Sequence, residues 1–216
     1  MKTLVQFIAE AIKQLPKNIK GIIVFDIDDT LLKVDSSQIK VYKKKPGTKQ
    51  EEALSTEEFA KDPDAKDPDK RSWFSYRDFR DPVKVYNSII SGTPLIRNLR
   101  IMDSYVEAGY DFCFLTARGA EETVKKAIKD FLKIRDKETG ALREIGDIYK
   151  ETLSHAVNDD FKDYPGKTDA EKKANVLKEL CDKYDRVVFV DDDHKNVQAA
   201  RGLNIKNLRV IKAWED

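Results

Sequence analysis

A set of short, almost continuous apolar runs restricts the fold of this chain more than any other feature. Runs in which apolar and polar residues do not alternate are typical of strands buried on both faces, as in a parallel sheet covered by helices. The four runs occupy residues 21–26, 110–116, 186–191 and 208–211. The sequence therefore predicts a buried sheet with these segments as strands.

Helical patterns separate these runs. Apolar residues recur at helical spacing over residues 93–108, before Gly109, and over residues 121–133. A third helix is predicted to begin at Thr168, because residues 168–171 carry the side chains of a capping box. Strands that alternate with helices predict an α/β fold, a doubly wound, Rossmann-like parallel sheet with helices on both faces.

The composition narrows the class of protein. A chain of 216 residues can form one substantial core with a smaller insertion. Its 40 basic and 39 acidic residues give a formal net charge of +1, so the overall charge favours no polyanionic partner. Apolar stretches of the roughly 20 residues that a membrane-spanning helix needs are absent from the sequence, so no membrane association is expected.

The N-terminal segment and the cysteines favour a cytoplasmic protein. Residues 4–15 carry apolar side chains at helical spacing and precede Pro16, which predicts an amphipathic helix packed on the core rather than a signal peptide. Cys113 lies in an apolar strand pattern and Cys181 in a helical pattern, so buried free thiols are expected rather than a disulfide or a metal site. The cytoplasm is the expected compartment, because it keeps thiols reduced.

Residues 33–92 do not follow the alternation of strands and helices. The segment is strongly polar and includes a run of lysines at 43–45. It is too long for a simple loop in a compact domain. We therefore predict a cap or insertion with some structure of its own, within a core formed by residues 1–32 and 93–216.

Within this insertion, residues 71–80 interleave aromatic side chains with arginines. Such a pattern would suit a stacking platform for nucleotide bases. The alternative is that Trp73, Phe74 and Phe79 form the small core of the insertion while the arginines face water. We favour this second interpretation, because aromatic side chains dominate the energetics of small cores.

Polar residues of a particular kind follow three of the predicted strands. The first strand leads into Asp-Ile-Asp-Asp-Thr at 26–30, the second into Thr-Ala-Arg-Gly at 116–119, and the third ends in three aspartates at 191–193. Ligands of open parallel sheets bind outside the carboxyl ends of the strands, so the three clusters are expected to form one site. Neighbouring carboxylates repel each other. Asp26 and Asp192 could share a hard cation such as Mg²⁺, which binds carboxylates, water and phosphate oxygens.

These clusters also resemble the motifs of a known family. Asp26-x-Asp28-x-Thr30 after a first strand, Thr116 closing a second, a lysine opening a helix and an acidic pair closing a later strand are similar to the four motifs of the haloacid dehalogenase-like (HAD) phosphohydrolases. The motifs occur in the family's order. The resemblance covers about residues 20–32 and 93–212 and does not include the insertion.

The resemblance implies a role for each matching residue. Asp26 would be the nucleophile that takes the phosphoryl group, and Asp28 would be the general acid that protonates the leaving alcohol and the base that then activates water. Thr116 and the adjacent turn at Ala117 would bind the transferring phosphoryl group. Asp192 would hold Mg²⁺ together with Asp26 and the main-chain carbonyl of Asp28.

The phosphate-binding lysine has three candidates. Lys173 is preferred for both catalysis and substrate binding, because Lys173 and Leu177 have the lysine-to-leucine spacing that is usual in the family. Lys172 and Lys167 are close competitors.

Other assignments also have alternatives. The accessory metal ligand is Asp191, Asp193 or Asn196. Arg118 either contacts the substrate or is a surface residue at the start of a helix, and Asp29 is expected to be solvated or to cap a loop.

Together these features predict a Mg²⁺-dependent phosphatase that hydrolyses a phosphomonoester through an aspartyl phosphate. Within the family that the chain resembles, members that are not phosphatases often lack the second aspartate, so the resemblance implies a phosphatase rather than a dehalogenase or a pump. The expected substrate is a phosphorylated small molecule, a nucleotide or a nucleic-acid end, and the resemblance to polynucleotide 3′-phosphatase-type members with small caps suggests a 3′-phosphate. The alternative is a catalytically inactive HAD-like module that binds nucleic acid or a protein partner through residues 33–92. No oligomeric state is favoured.

Overall fold

The computed structural model describes residues 20–35, 37–45, 47–139, 153–158 and 164–213. The strands, in chain order, are β1 (Gly21–Phe25), β2 (Leu32–Lys33), β3 (Val41–Lys44), β4 (Glu51–Leu54), β5 (Phe74–Ser75), β6 (Thr93–Pro94), β7 (Asp111–Thr116), β8 (Leu153–Ala156), β9 (Arg186–Asp191) and β10 (Leu208–Lys212). The α-helices are α1 (Thr56–Lys61), α2 (Pro82–Ile90), α3 (Ile96–Glu107), α4 (Glu121–Thr139), α5 (Asp169–Lys183) and α6 (His194–Gly202).

The centre of the molecule is a five-stranded parallel sheet with the order β10-β9-β1-β7-β8. The predicted strands are confirmed as β1, β7, β9 and β10. Edge strand β8 was not predicted, because its residues Leu-Ser-His-Ala form no apolar run. All five residues of β1 are buried, as expected for the middle strand of a sheet that is covered on both faces.

Helices cover both faces of this sheet, which confirms the predicted doubly wound α/β class. Ile23 and Phe25 of β1 point to one face, where they join a cluster formed with α2, α3 and α4. Ile22 and Val24 point to the other face and join a cluster with α5 and α6. The alternation along β1 therefore divides the core into two layers.

The predicted helix boundaries are partly right. Helix α3 begins at Ile96 rather than at residue 93, because Thr93 and Pro94 form strand β6 instead. Helix α4 begins at Glu121 as predicted and extends beyond residue 133. The capping box before α5 is confirmed, and the amphipathic helix predicted for residues 4–15 lies outside the described residues.

The insertion has a small sheet and a core of its own. Strands β2 and β6 pair at its base and bring its two ends together. Beyond them, β3 pairs with both β4 and β5 in an antiparallel sheet. Phe74 packs there with Val41 and Leu54, and the partly buried Trp73 and Phe79 pack against them. The small-core interpretation of these aromatic residues is confirmed.

Helix α2 lies inside the predicted insertion but packs with the main core. Its Val85 and Ile89 are fully buried in the cluster formed with α3 and α4. Asp81 caps the helix by accepting the N–H groups of Val83 and Lys84. The chain therefore returns to the core layer before residue 92.

Among the described residues, no helix combines the length and the apolar character that crossing a membrane requires.

Candidate active site

The three polar clusters lie at the carboxyl ends of neighbouring strands. Strand β1 lies between β9 and β7. The chain continues from β1 to β7 and β8 on one side of it, and then crosses to β9 and β10 on the other side. This arrangement is a topological switch point, where open α/β sheets bind ligands. Carboxylate oxygens of Asp26, Asp191 and Asp192 come within 4.8 Å of one another there. The predicted meeting of Asp26 and Asp192 is confirmed.

Lys173 bridges two of these carboxylates. Its Nζ lies 2.9 Å from Asp26 Oδ1 and 2.8 Å from Asp191 Oδ2, and its side chain is only 2% exposed. The neighbouring Lys172 turns away and donates to the Val157 carbonyl and to Asn158 Oδ1, while Lys167 is exposed. Of the three candidate lysines, Lys173 is the one in contact with the predicted nucleophile.

Asp191 has a different environment from the next two aspartates. Its carboxylate accepts hydrogen bonds from Lys173, from Asn196 Nδ2 at 3.1 Å and from the Asp193 N–H at 2.9 Å. Asp193 caps α6 by accepting the Lys195 N–H. Asp193 therefore has the role of a helix cap, while Asp191 belongs to the carboxylate cluster and Asn196 orients it.

Thr30 connects the loop after β1 to the loop after β9. Its Oγ1 donates to Asp192 Oδ1 at 2.9 Å and accepts the Asp192 N–H at 3.0 Å. The Thr30 carbonyl accepts a hydrogen bond of 2.8 Å from Asn98 Nδ2 on α3. Thr30 appears in the first motif, but its role was not predicted, and no pattern in the sequence marks Asn98.

Burial and mutual repulsion make the charged forms of the clustered aspartates unfavourable, so the cluster favours binding of protons or of a cation. Burial raises the pKa of Asp26 well above its usual value, and the charges of Asp191, Asp28 and Asp192 raise it further against the opposing effect of Lys173. Burial and then the charge of Asp191 raise the pKa of Asp192 to about 6. Burial alone would lower the pKa of Lys173, but Asp26 and Asp191 outweigh it and the net change is upward.

A divalent cation fits this donor set. Carboxylate oxygens are the ligands that Mg²⁺ prefers, and Mg²⁺ uses one or two of them with water and phosphate. Asp26 and Asp192 are the direct candidates, because both carboxylate oxygens of Asp191 already accept hydrogen bonds, Oδ1 from Asn196 and the Asp193 N–H and Oδ2 from Lys173 and Asn196. Coordination by the main-chain carbonyl of Asp28 stays a prediction.

The loop after β7 begins with a buried hydroxyl. Thr116 is fully buried, and its Oγ1 accepts the Arg118 N–H at 3.2 Å. The Ala117 carbonyl accepts a 2.6 Å hydrogen bond from Asn158 Nδ2. A Cβ at Gly119 would lie 2.8 Å from the Asn158 carbonyl oxygen, so only glycine fits this close approach. Asn158 was not predicted, because it lies in a segment without a helical or strand pattern.

The insertion contacts this same loop. The Gly119 N–H donates to the carbonyl of Phe79 at 2.9 Å. The end of the insertion therefore lies against the loop that begins with Thr116.

Asp28 and Arg118 form a two-pronged ion pair. Arg118 Nε lies 2.9 Å from Asp28 Oδ2, and Nη2 lies 2.6 Å from Oδ1. The Arg118 side chain is fully buried, so its interpretation as a surface residue was wrong. Its remaining donor, Nη1, contacts Ser88 Oγ and the Val85 carbonyl. These contacts with protein groups do not favour the other interpretation, direct contact with substrate.

Asp29 lies beside the cluster and has a loop role. It is exposed, its φ is 52°, and its N–H donates to the Leu32 carbonyl at 2.9 Å.

A scan against models of protein families and a search of curated proteins both find no match for this chain.

Proposed function

We propose that this protein is a phosphatase that hydrolyses a phosphomonoester through a phosphorylated Asp26, with Mg²⁺ as its cofactor. The observation that carries the proposal is the buried Asp26 carboxylate, which contacts Lys173 and lies within 4.8 Å of two further aspartates at the switch point of the sheet. Asp28, the candidate acid, follows two residues later and is partly exposed.

In the first step, an Asp26 carboxylate oxygen attacks phosphorus and the bond from phosphorus to the leaving oxygen breaks. Asp28 gives its proton to that oxygen, so the alcohol leaves uncharged. In the second step, Asp28 takes a proton from water, and the water oxygen attacks the phosphorus of the aspartyl phosphate. The bond from phosphorus to Asp26 breaks, which releases inorganic phosphate and restores both carboxyl groups.

The surrounding residues orient these groups and balance their charge. Lys173 holds the Asp26 carboxylate in place, and Thr30 does the same for Asp192. The Thr116 hydroxyl and the N–H of Ala117 are the proposed contacts of the transferring phosphoryl group. When bound, a divalent cation would offset the negative charge that phosphate and carboxylates bring together, since phosphoryl transfer depends chiefly on positioning and electrostatics.

The proposed substrates are a phosphorylated small molecule, a nucleotide or a phosphorylated nucleic-acid end. Contact between the insertion and the loop after β7 supports a role of the insertion in selecting among them. We also propose a cytoplasmic location, which suits the two free cysteines, Cys113 and Cys181.

The test is hydrolysis of 4-nitrophenyl phosphate with and without Mg²⁺, followed by a panel of nucleotides, sugar phosphates, phosphopeptides and 3′- or 5′-phosphorylated oligonucleotides. Asp26→Asn is expected to abolish turnover while the thermal unfolding transition stays cooperative. Asp29→Asn is the matched control, because it makes the same change in the same loop and asparagine tolerates a positive φ. Unchanged turnover in Asp26→Asn would refute the proposal.

A further inference from the structure

Arg118 is a buried cation whose position depends on three separate segments of the chain. It follows β7, its guanidinium forks onto Asp28 after β1, and its third nitrogen contacts α2. Arginine stays charged at any physiological pH. A buried guanidinium therefore needs a counterion and bonds for its remaining donors, and Asp28 supplies the charge.

The geometry at Asp28 restricts its carboxylate. Nε and Nη2 of Arg118 bind the two carboxylate oxygens at 2.9 and 2.6 Å, so the pair shares the planar fork geometry that arginine offers. A single point contact would let the carboxylate rotate, whereas a fork fixes its plane. Asp28 stays 26% exposed on its other side, while Arg118 is fully buried behind it.

The arginine is itself held from behind. Nη1 donates to Ser88 Oγ at 2.7 Å and to the Val85 carbonyl at 3.3 Å. Ser88 is fully buried, and its hydroxyl donates to the same Val85 carbonyl at 2.9 Å. Every contact on this side comes from α2, the last helix before the chain leaves residues 33–92.

We infer that Arg118 is a positioning residue, held by Ser88, that orients the carboxyl group of Asp28 toward the leaving oxygen of the substrate. The inference rests on the proposed phosphatase function. Asp28 must enter the bond-breaking step with a proton, which passes to the leaving oxygen. The carboxylate that this leaves is the form that pairs with Arg118, and Arg118 itself transfers nothing. Its contribution is the alignment of donor and acceptor, on which general acid catalysis depends.

Leaving-group dependence separates this role from substrate binding. The departure of 2,4-dinitrophenolate needs little help from an acid, whereas an alkoxide cannot leave without a proton. The experiment measures kcat/KM, which reports phosphoryl transfer to Asp26, for 2,4-dinitrophenyl phosphate and glycerol 2-phosphate with Mg²⁺ present. The variants are Arg118→Met, Arg118→Lys, Ser88→Ala and Asp28→Asn.

We expect Arg118→Met to lower kcat/KM for the alkyl ester by about 100-fold or more and for the dinitrophenyl ester by less than about 10-fold, the pattern of a lost acid. KM should change little. Arg118→Lys should recover part of the alkyl ester activity, because it keeps the charge without the fork. Ser88→Ala should also lower kcat/KM more for the alkyl ester than for the dinitrophenyl ester, but by a smaller factor than Arg118→Met.

A double variant provides the most direct check. If Arg118 acts through Asp28, adding Arg118→Met to Asp28→Asn should cost no further activity, because residues that act as one unit are not additive. Arg201→Met is the matched control and should leave both esters unaffected, since Arg201 is exposed in the last turn of α6. If Arg118→Met does not fold, Ser88→Ala and Arg118→Lys carry the test.

Equal losses for the two esters, a rise in KM alone or additive losses in the double variant would overturn the inference and leave the phosphatase proposal intact. A wild-type protein that hydrolyses neither ester, or an Asp26→Asn variant with full activity, would overturn the phosphatase proposal instead, and this inference with it.

Discussion

The candidate active site and the insertion each contain a lysine that bridges two aspartates. In the site, Lys173 lies 2.9 Å from Asp26 and 2.8 Å from Asp191. In the insertion, Lys43 lies 2.6 Å from Asp62 and 2.8 Å from Asp64. We call these the site bridge and the insertion bridge. Their distances are similar, so distance alone does not distinguish a candidate functional cluster from a structural ion pair.

Burial separates the two bridges. The Lys173 side chain is 2% exposed and the Lys43 side chain 19%. Burial raises the pKa of Asp26, whereas the hydrogen bond from Lys43 lowers the pKa of Asp62 and also of Asp64. A carboxylate in the insertion bridge is thus stabilised in its charged form by its partner. In the site bridge, burial destabilises the charged form of Asp26, and the charge of Lys173 does not fully offset this desolvation.

The balance of charge differs as well. Asp192 adds a third carboxylate to the site, where Lys173 is the one lysine that binds the cluster among the described residues. In the insertion, a second lysine, Lys70, binds Asp64 at 2.6 Å and lies 3.6 Å from Asp67, so two lysines face three aspartates. The insertion is therefore closer to neutral than the site, where a bound cation would offset the larger excess of negative charge.

The largest difference between the two bridges is expected when the lysine of each one, Lys173 or Lys43, is replaced. Lys173→Met leaves two buried carboxylates without their cation, so we expect the free energy of unfolding to fall by about 3–5 kcal/mol and phosphatase activity to be lost. Lys43→Met should cost far less stability, because solvent screens its partly exposed partners, and should keep activity. Urea unfolding and 4-nitrophenyl phosphate turnover test both. Equal losses of stability in the two variants would contradict the distinction.

Mg²⁺ should act on one region only. A cation that binds only the folded state raises the free energy of unfolding by about 2.7 kcal/mol when its free concentration is 100 times its Kd. We expect thermal unfolding to shift upward with MgCl₂, relative to KCl of equal ionic strength, and the shift to shrink in Asp192→Asn. Asp64→Asn should keep the full shift. A shift that depended on Asp64 rather than Asp192 would place the cation in the insertion.

The pH dependence of stability should have opposite signs in the two regions. The pKa of Asp192 is raised to about 6 by burial and by the charge of Asp191. An unfolded aspartate has a pKa of about 3.9, so between these values the folded protein holds a proton that the unfolded chain has released. Stability from this group should therefore fall as the pH rises from about 4 to about 6.

Thermal unfolding of metal-free wild type and Asp192→Asn across this pH window is the measurement. The variant should flatten the fall, and saturating Mg²⁺ should do so too, because proton and cation compete for the same carboxylate. The same slope in variant and wild type would mean that Asp192 does not cause it.

The sequence was informative where one chain segment determines the outcome. The central strands were predictable because strands buried on both faces carry unbroken apolar runs. Asp26 and Asp192 were predictable because they stand directly at the ends of those strands, where topology brings parallel strands together. The resemblance added roles to these residues, and those roles stay predictions.

Contacts between distant segments were not predictable. Lys172 and Lys173 are adjacent in the sequence, and only the rotation of α5 against β9 decides which one faces Asp26. The surface interpretation of Arg118 was wrong because its partners lie on two other elements, and no local pattern connects it with Ser88. Helix α2 looked like part of the insertion because its neighbours are polar, although its apolar face belongs to the core.

The smallest expected effect tests the insertion bridge itself. The lowered pKa values of Asp62 and Asp64 mean that their contribution to stability is present above the unfolded pKa of about 3.9 and is lost as the pH falls through their lower folded values. Asp64→Asn should therefore lower the unfolding temperature slightly at pH 7 and hardly at all at a pH well below about 3.9, where Asp64 is protonated in the wild type as well. The matched control is Asp69→Asn, which makes the same change in the same segment at a residue without an ion pair to Lys43. A larger effect of Asp64→Asn at acid pH than at pH 7 would reverse the sign assigned to the insertion and remove the contrast with the site.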